Sequence, residues 1–193
     1  MGGADDNITD SGPKGSCVTI SSTNVVAELI DVLSPEQVTT DPSMLASYGQ
    51  DWTRFASPAP TAIVFPRSST EIAAIVHHAR NRKLALVPSG GRTGLSGGAV
   101  AANGEVVVSL DKMNTISDVN LIDRTITVGA GAITQQIQEA ASAAGLFYPV
   151  DFASSGSSQI GGNIATNAGG YQRYSLRHDK RMGRRSDCRN RRG

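Results

Sequence analysis

Pro88-Ser89-Gly90-Gly91-Arg92-Thr93-Gly94-Leu95-Ser96-Gly97-Gly98 is the stretch on which the reading of this chain turns. It follows a short apolar run, residues 84–87, that reads as a buried strand. Five of its eleven residues are glycine. Without Cβ atoms, consecutive backbone N–H groups can converge on one anion. Ser89 and Thr93 add hydroxyl donors and Arg92 a planar cation. The pattern fits a diphosphate cradle, with a flexible surface loop as the competing reading. It is not a Walker loop, because no Lys-Ser/Thr follows the second glycine.

Working outward, residues 25–33 place Val25, Val26, Leu29, Ile30 and Leu33 on one helical face, and Ser34-Pro35 stops that helix. Asp41-Pro42-Ser43 predicts a short helix through Tyr48 with proline at its first position. Residues 62–65 read as a strand. Ser68-Ser69-Thr70-Glu71 is a capping box. The helix after it is expected to bury Ile72, Ile75, Val76 and Ala79 and to end near Arg82-Lys83. Residues 106–110 and 125–128 read as strands, and 133–144 as a helix closed by Gly145. Irregular alternation of these elements predicts an α/β or α+β fold with a mixed sheet.

Two more segments are rich in glycine. Gly129-Ala130-Gly131 sits between a predicted strand and a helix, with Asp151 twenty positions on. It lacks the third glycine of a dinucleotide fingerprint, Thr134 standing there, and reads as a plain tight turn. Residues 151–170 are mostly Gly, Ser, Asn and Ala, able to wrap a flat ligand with polar edges or to serve as a linker. Ile160, Ile164 and Ala165 interrupt the polar run and argue against the linker. His77 and His78 read as solvated helix positions, since adjacent helical residues do not face one ligand. Trp52 reads as packing, and Arg54 as structural or facing a substrate.

Three of these segments together carry a resemblance. The 88–98 loop, Tyr148-Pro149-Val150-Asp151, and Ile160-Gly161-Gly162-Asn163-Ile164-Ala165-Thr166-Asn167-Ala168-Gly169-Gly170 resemble the FAD-binding domain of the vanillyl-alcohol-oxidase superfamily. The branch is that of the D-2-hydroxyacid dehydrogenases: D-2-hydroxyglutarate and D-lactate dehydrogenases and the glycolate oxidase FAD subunit. Tyr48-Gly49-Gln50-Asp51-Trp52-Thr53-Arg54 and Ala62-Ile63-Val64-Phe65-Pro66 are similar to the same branch. The resemblance implies an α+β domain of two lobes with FAD between them. It implies that Ser89, Gly90, Gly91, Arg92, Thr93 and Gly94 hold the pyrophosphate. Pro149, Asp151, Ser157, Ser158, Ile160, Gly161, Gly162 and Asn163 would run along the flavin and ribityl side, with Thr166 and Asn167 nearby. The 88–98 loop has no His or Cys, so FAD is expected to be non-covalent. The implied chemistry is hydride transfer from C2 of a D-2-hydroxy acid to flavin, with the electrons passing on to an acceptor other than NAD.

Composition sets the remaining bounds. The chain has 193 residues, 39% hydrophobic and 5% aromatic, as a small α/β or α+β domain needs. No apolar run approaches about 20 residues, so no transmembrane segment is expected. Residues 1–23 read as a disordered leader without the apolar core of a secretory signal. Cys17 and Cys188 make neither a metal spacing nor a disulfide framework, which points to a cytoplasmic setting.

The net charge of +1 hides an asymmetry. Residues 1–170 hold 15 Asp/Glu and 9 Lys/Arg, whereas residues 171–193 hold 9 Lys/Arg and 2 acids. The tail could be a basic arm for nucleic acid or an acidic membrane. A different reading comes from the genetic code. Back-translated with suitable codons and read one base out of phase, the tail gives I-N-G-I-R-Y-G-M-T-S-E-W-V-A-G-L-T-V-V-T-G-A, which resembles the family's own continuation. The expectation is therefore a frameshifted tail, an incomplete FAD-binding domain over 24–170, and no nucleic-acid partner. The family's metal ligands and substrate-binding arginines would then lie outside this chain, which is expected to hold FAD without turning over by itself. A non-catalytic flavin- or nucleotide-binding module and an unfolded remnant are the other readings.

Overall fold

The computed structural model describes residues 22–53 and 55–170. The tail, Arg54, both cysteines and nearly all of the expected leader lie outside these residues. Two short helices and a sheet come first. α1 is Ser22–Val32, a 3-10 turn follows at Pro35–Gln37, β1 is Val38–Thr39 and α2 is Pro42–Tyr48. β2 is Ala62–Val64, α3 Ser69–Arg82, β3 Leu86–Ser89 and β4 Val106–Ser109. The strand order is β1-β2-β4-β3. β1 runs antiparallel to β2, while β4 is parallel to both β2 and β3.

The two central strands explain the layers. β2 and β4 are buried at every residue, as strands covered on both faces must be. Ala62, Val64, Val106 and Val108 pack with Val25 and Leu29 of α1 and Ile75 of α3. Ile63, Phe65 and Val107 face the other way, against Met44, Leu45 and Tyr48 of α2. Leu29, Ile63 and Ile75 are fully buried, each worth about 1.5–3 kcal/mol of transfer free energy. This sandwich fixes the carboxyl ends of β2, β3 and β4 along one edge. The 88–98 loop, Asp111 and the last turn of α2 meet there.

Local signals in the sequence translate directly into several boundaries. Asp41 caps α2 by accepting from Met44 N at 3.0 Å, with Pro42 in the first turn. Ser68 Oγ accepts from Glu71 N at 3.2 Å and starts α3. The reciprocal half of the capping box does not form. Glu71 Oε2 instead takes Arg67 N and Gln37 Nε2, both at 2.7 Å, and ties α3 to the 3-10 turn. Val76 is 47% exposed rather than buried, because the stripe of α3 that meets the sheet narrows to Ile75 and Ala79. His77 is solvated as expected. His78 is half-buried against α1, its Nε2 lying 3.2 Å from Glu28 Oε2.

The second part of the chain contains α4, Thr134–Ala143, and α5, Ile160–Ala165. Gly145 closes α4 at φ +69°, the left-handed turn its position predicts. Residues 125–128 do not form the expected strand. Their neighbours are residues 116–120, and only isolated bridges link Ile116 to Val128 and Asn120 to Thr125. Among the described residues no longer strand lies beside them to extend a ladder. α5 was not expected, since two glycines fall inside it. Among the described residues no helix is long and apolar enough to cross a membrane.

Candidate functional site

The 88–98 loop leaves β3 at Ser89, whose side chain is fully buried. Gly90, Gly91, Arg92, Thr93 and Gly94 donate no backbone hydrogen bond to another described residue. A run of consecutive free N–H groups after a parallel strand is a ready anion site. The loop is held from outside. Asp51, 5% exposed, accepts from Gly97 N at 2.9 Å and from Thr53 N at 2.9 Å. Trp52 N donates to Gly94 O at 3.1 Å. Trp52, read from sequence as packing, is 64% exposed and lies outside the two core clusters.

Arg92 is folded back beneath the loop. It sits at φ +57°, and Nη1 donates to Gly90 O at 2.9 Å. Its guanidinium carbon lies 4.1 Å from the centre of the Tyr48 ring, and Nη1 is 3.8 Å from Asp111 Oδ2. A left-handed conformation costs a non-glycine residue about 1 kcal/mol, which these contacts offset. Arg92 thus braces the loop through Gly90 O, while the N–H groups of residues 90–94 are left without a described partner.

Asp111, just past β4, joins three elements. Oδ2 accepts from Tyr48 OH at 2.7 Å and Oδ1 from Gln159 Nε2 at 2.6 Å. Burial, followed by the hydrogen bond from its hydroxyl to Asp111 and the charge of that carboxylate, raises the Tyr48 phenol above its ordinary range; nearby Arg92 pulls it the other way. The neutral phenol is the form the fold favours. Its contribution to stability is complete below the unfolded tyrosine pKa of about 10 and is lost as pH rises through the higher folded value. A phenolate absorbance titration is expected to show one late-ionising tyrosine that disappears in Tyr48→Phe. Identical titration curves for the two chains would refute this.

The third glycine-rich segment packs directly on the first. A Cβ on Gly91 would lie 2.1 Å from Ser157 O and 2.9 Å from Ser158 Cα. One on Gly90 would meet Gln159 Oε1 at 3.4 Å. Beneath this junction runs a buried polar chain. Thr134 Oγ1 and Ser158 Oγ are 2.7 Å apart, and Asn163 Nδ2 donates to Thr134 Oγ1 at 2.7 Å. Ser158 and Asn163 therefore hold segment 157–163 onto α4. Ile160 N and Gly161 N donate to Ala132 O at 3.0 Å and Ala130 O at 2.8 Å, which extends the seam.

Both glycines of the Gly129–Gly131 turn spend their N–H groups on the chain, so the turn offers no run of free donors. Gly129 N donates to Thr115 O at 2.8 Å and Gly131 N to Met113 O at 2.9 Å. It is a packing turn, as its incomplete fingerprint indicates.

The structure thus brings Gly90 and Gly91 together with Ser157 and Ser158. The other residues expected at the site are spread along the same segment. Pro149 is buried and Asp151 exposed, the latter with its backbone against Gly170, where an added Cβ would lie 2.1 Å from Asp151 O. Thr166 and Asn167 are exposed at the end of α5, and Thr166 Oγ1 donates to Gly162 O at 2.8 Å. Sequence reasoning missed Asp111, Tyr48 and Asp51 as site residues, and gave the Gln159 side chain, which lies within the 157–163 stretch, no role of its own. The carboxyl end of a parallel strand is where ligands gather, so Asp111 carried a positional signal. Among the described residues no group of three or more His, Cys, Asp or Glu is placed to hold a metal.

Comparison with known proteins bears on the family and the fold. The family described as FAD binding domain matches residues 60–178. The D-2-hydroxyglutarate dehydrogenase of Stutzerimonas stutzeri (strain A1501) is 56% identical over 154 residues, 79% of this chain and 33% of that protein. The mitochondrial D-2-hydroxyglutarate dehydrogenase of Rattus norvegicus is 33% identical over 162 residues, 82% of this chain and 30% of that protein. This chain spans about a third of the length of these curated relatives. Among solved structures, an alkyldihydroxyacetonephosphate synthase superposes with a TM-score of 0.72 at 21% identity, over 82% of this chain and 32% of that one. p-Cresol methylhydroxylase with substrate bound gives 0.64 at 22%, over 77% and 30%. The α+β fold expected from the three glycine-rich segments is the fold of these solved structures, and the chain belongs to the FAD binding domain family.

Proposed function

We propose that this chain is the FAD-holding part of a flavin-dependent dehydrogenase of D-2-hydroxy acids, of the D-2-hydroxyglutarate or D-lactate type. One observation carries the reading: a loop with five consecutive free N–H groups, closed against a second glycine-rich segment from the far end of the chain. The free N–H groups fit a diphosphate, and the absence of Cβ atoms at Gly90 and Gly91 lets the two segments close on one another. The two relatives named D-2-hydroxyglutarate dehydrogenase support the substrate class.

In this reading Gly90, Gly91, Thr93 and Gly94 bind the pyrophosphate above the buried Ser89 at the base of the loop, and Arg92 braces the loop through Gly90 O. Pro149, Asp151, Ser157, Ser158, Ile160, Gly161, Gly162, Asn163, Thr166 and Asn167 line the flavin side. Ser158 and Asn163 work there by anchoring the segment through Thr134. FAD, when bound, supplies the two-electron acceptor for hydride from C2 of the substrate. Loop 88–98 has no His or Cys, so the cofactor is held non-covalently. The substrate acid and the electron acceptor belong to the whole enzyme, and its setting in this reading is cytoplasmic.

The test is FAD uptake by the purified 193-residue chain. Flavin absorbance is expected to persist through desalting and to pass completely into the supernatant on acid precipitation. A chain that retains no flavin overturns the reading, and flavin that stays with the acid pellet overturns its non-covalent part.

A further inference from the structure

Gln159 has one half of its amide assigned and one half not. Nε2 donates to Asp111 Oδ1 at 2.6 Å. Oε1 is buried and accepts no hydrogen bond from another described residue. The residue as a whole is 7% exposed. Asp111 settles which way round the amide lies, because the opposite assignment would set two oxygens 2.6 Å apart. A buried carbonyl oxygen without a donor has given up its hydrogen bonds to water with nothing in return, so this oxygen is placed to receive one.

Its direction says what kind. A Cβ built on Gly90 would lie 3.4 Å from Oε1, so the oxygen abuts the first residue of the free N–H run. A phosphate oxygen bound by those N–H groups is an acceptor and cannot pair with Oε1. The donor must come from the part of the ligand adjoining the phosphate. In flavin nucleotides and in nucleoside diphosphates that part is a chain or ring bearing hydroxyls.

Resting on the FAD reading, we propose that Gln159 Oε1 is the acceptor for a polyol hydroxyl next to the bound phosphate, and that Asp111 is the positioning residue that presents it. Asp111 also accepts from Tyr48 OH and faces Arg92 beneath the loop. The same carboxylate therefore sets both the cradle that grips the phosphate and the oxygen that reads the neighbouring hydroxyl. Such a pairing favours a sugar-linked phosphate over a bare one.

The experiment measures the affinity of the 193-residue chain for FMN, ADP and inorganic pyrophosphate, beside its Gln159→Met and Asp111→Asn variants. Melting of the ligand-free chains checks that each is folded. Gln159→Met keeps the length and loses the acceptor, so it should cost about tenfold in affinity for one hydroxyl-bearing ligand, with pyrophosphate unchanged. A loss confined to FMN supports the proposal and places the hydroxyl on the ribityl chain. A loss confined to ADP supports it and places the hydroxyl on the ribose. In Asp111→Asn the new amide can itself donate to Oε1, which is expected to weaken the same ligand. No change for FMN or ADP in Gln159→Met overturns the proposal, as does an equal loss for all three probes, which would mean that Gln159 only props the loop. An Asp111→Asn chain that binds all three as the parent does overturns the positioning role of Asp111. A parent chain that binds none of the probes overturns the FAD reading itself, a result distinct from the others.

Discussion

Gly91→Ala is expected to abolish measurable FAD retention and to lower the melting temperature by about 10 °C. The added methyl would fall 2.1 Å from Ser157 O and 2.9 Å from Ser158 Cα. Both are backbone atoms, and segment 157–159 is pinned by Thr134 N and Oγ1, which donate to Ser158 O at 3.0 and 3.1 Å. Neither side can yield by rotating a side chain, so the loop must back away from the segment. Overpacking of this kind costs about 3 kcal/mol, at the upper end of its usual range. For a chain of this size that corresponds to a shift of about 10 °C. Displacing the loop also misaligns its N–H groups. Losing two charge-assisted hydrogen bonds weakens a phosphate ligand by about 100-fold or more. Desalting with bound flavin and a thermal melt read the two effects separately. A variant that keeps flavin at the parental ratio would show that the two segments do not form one site.

Gly131→Ala tests the other glycine pair and should behave differently. Its methyl would lie 1.9 Å from Leu110 O and 2.8 Å from Leu110 C. The carbonyl of Leu110 is fixed in turn, accepting from Met113 N at 2.9 Å, while Leu110 N donates to Ser89 O at 3.1 Å. The expected loss is again about 3 kcal/mol, seen as a lower melting temperature. The N–H groups at Gly129 and Gly131 are spent on Thr115 O and Met113 O, so no ligand contact is lost directly. Well below its melting temperature this variant should lose less FAD affinity than Gly91→Ala, and only through the shift of Leu110, which is bonded to Ser89 and precedes Asp111. A selective loss of FAD with an unchanged melt would make this turn a cofactor contact and overturn its reading as packing.

The contrast between these glycines shows what the sequence could disclose. Asp41-Pro42 and Ser68 start their helices where expected, because a cap acts on its own next few N–H groups and needs no distant partner. The 88–98 loop was legible for a similar reason, since glycine density after an apolar run is a local signal. Asp111 was not. A lone acid after a strand looks like any loop residue until Tyr48, 63 positions earlier, and Gln159, 48 positions later, arrive beside it. α5 was hidden by Gly161 and Gly162, each a penalty of about 1 kcal/mol within a helix. Contacts from Ile160 and Gly161 to Ala132 and Ala130 override that penalty, and they become visible only when the fold is known. Arg92 was read as a cation for the anion. The structure turns it inward, because Tyr48, Asp111 and Gly90 O offer it three partners at once.

The strand order has a consequence for how the chain is made. β4 lies between β2 and β3, yet it is the last of the four to leave the ribosome. β2 and β3 do not touch each other, so both must wait for residues 106–109 before either gains its central neighbour. Sixteen residues separate Ser89 from Val106, roughly one to three seconds of synthesis at about 5–20 residues per second. During that interval the glycine loop is already made but has no carboxylate beneath Arg92, because Asp111 follows the missing strand. The support of the 88–98 loop and the hydrophobic core around this sheet therefore mature in one late event, when the nascent β4 slots between β2 and β3.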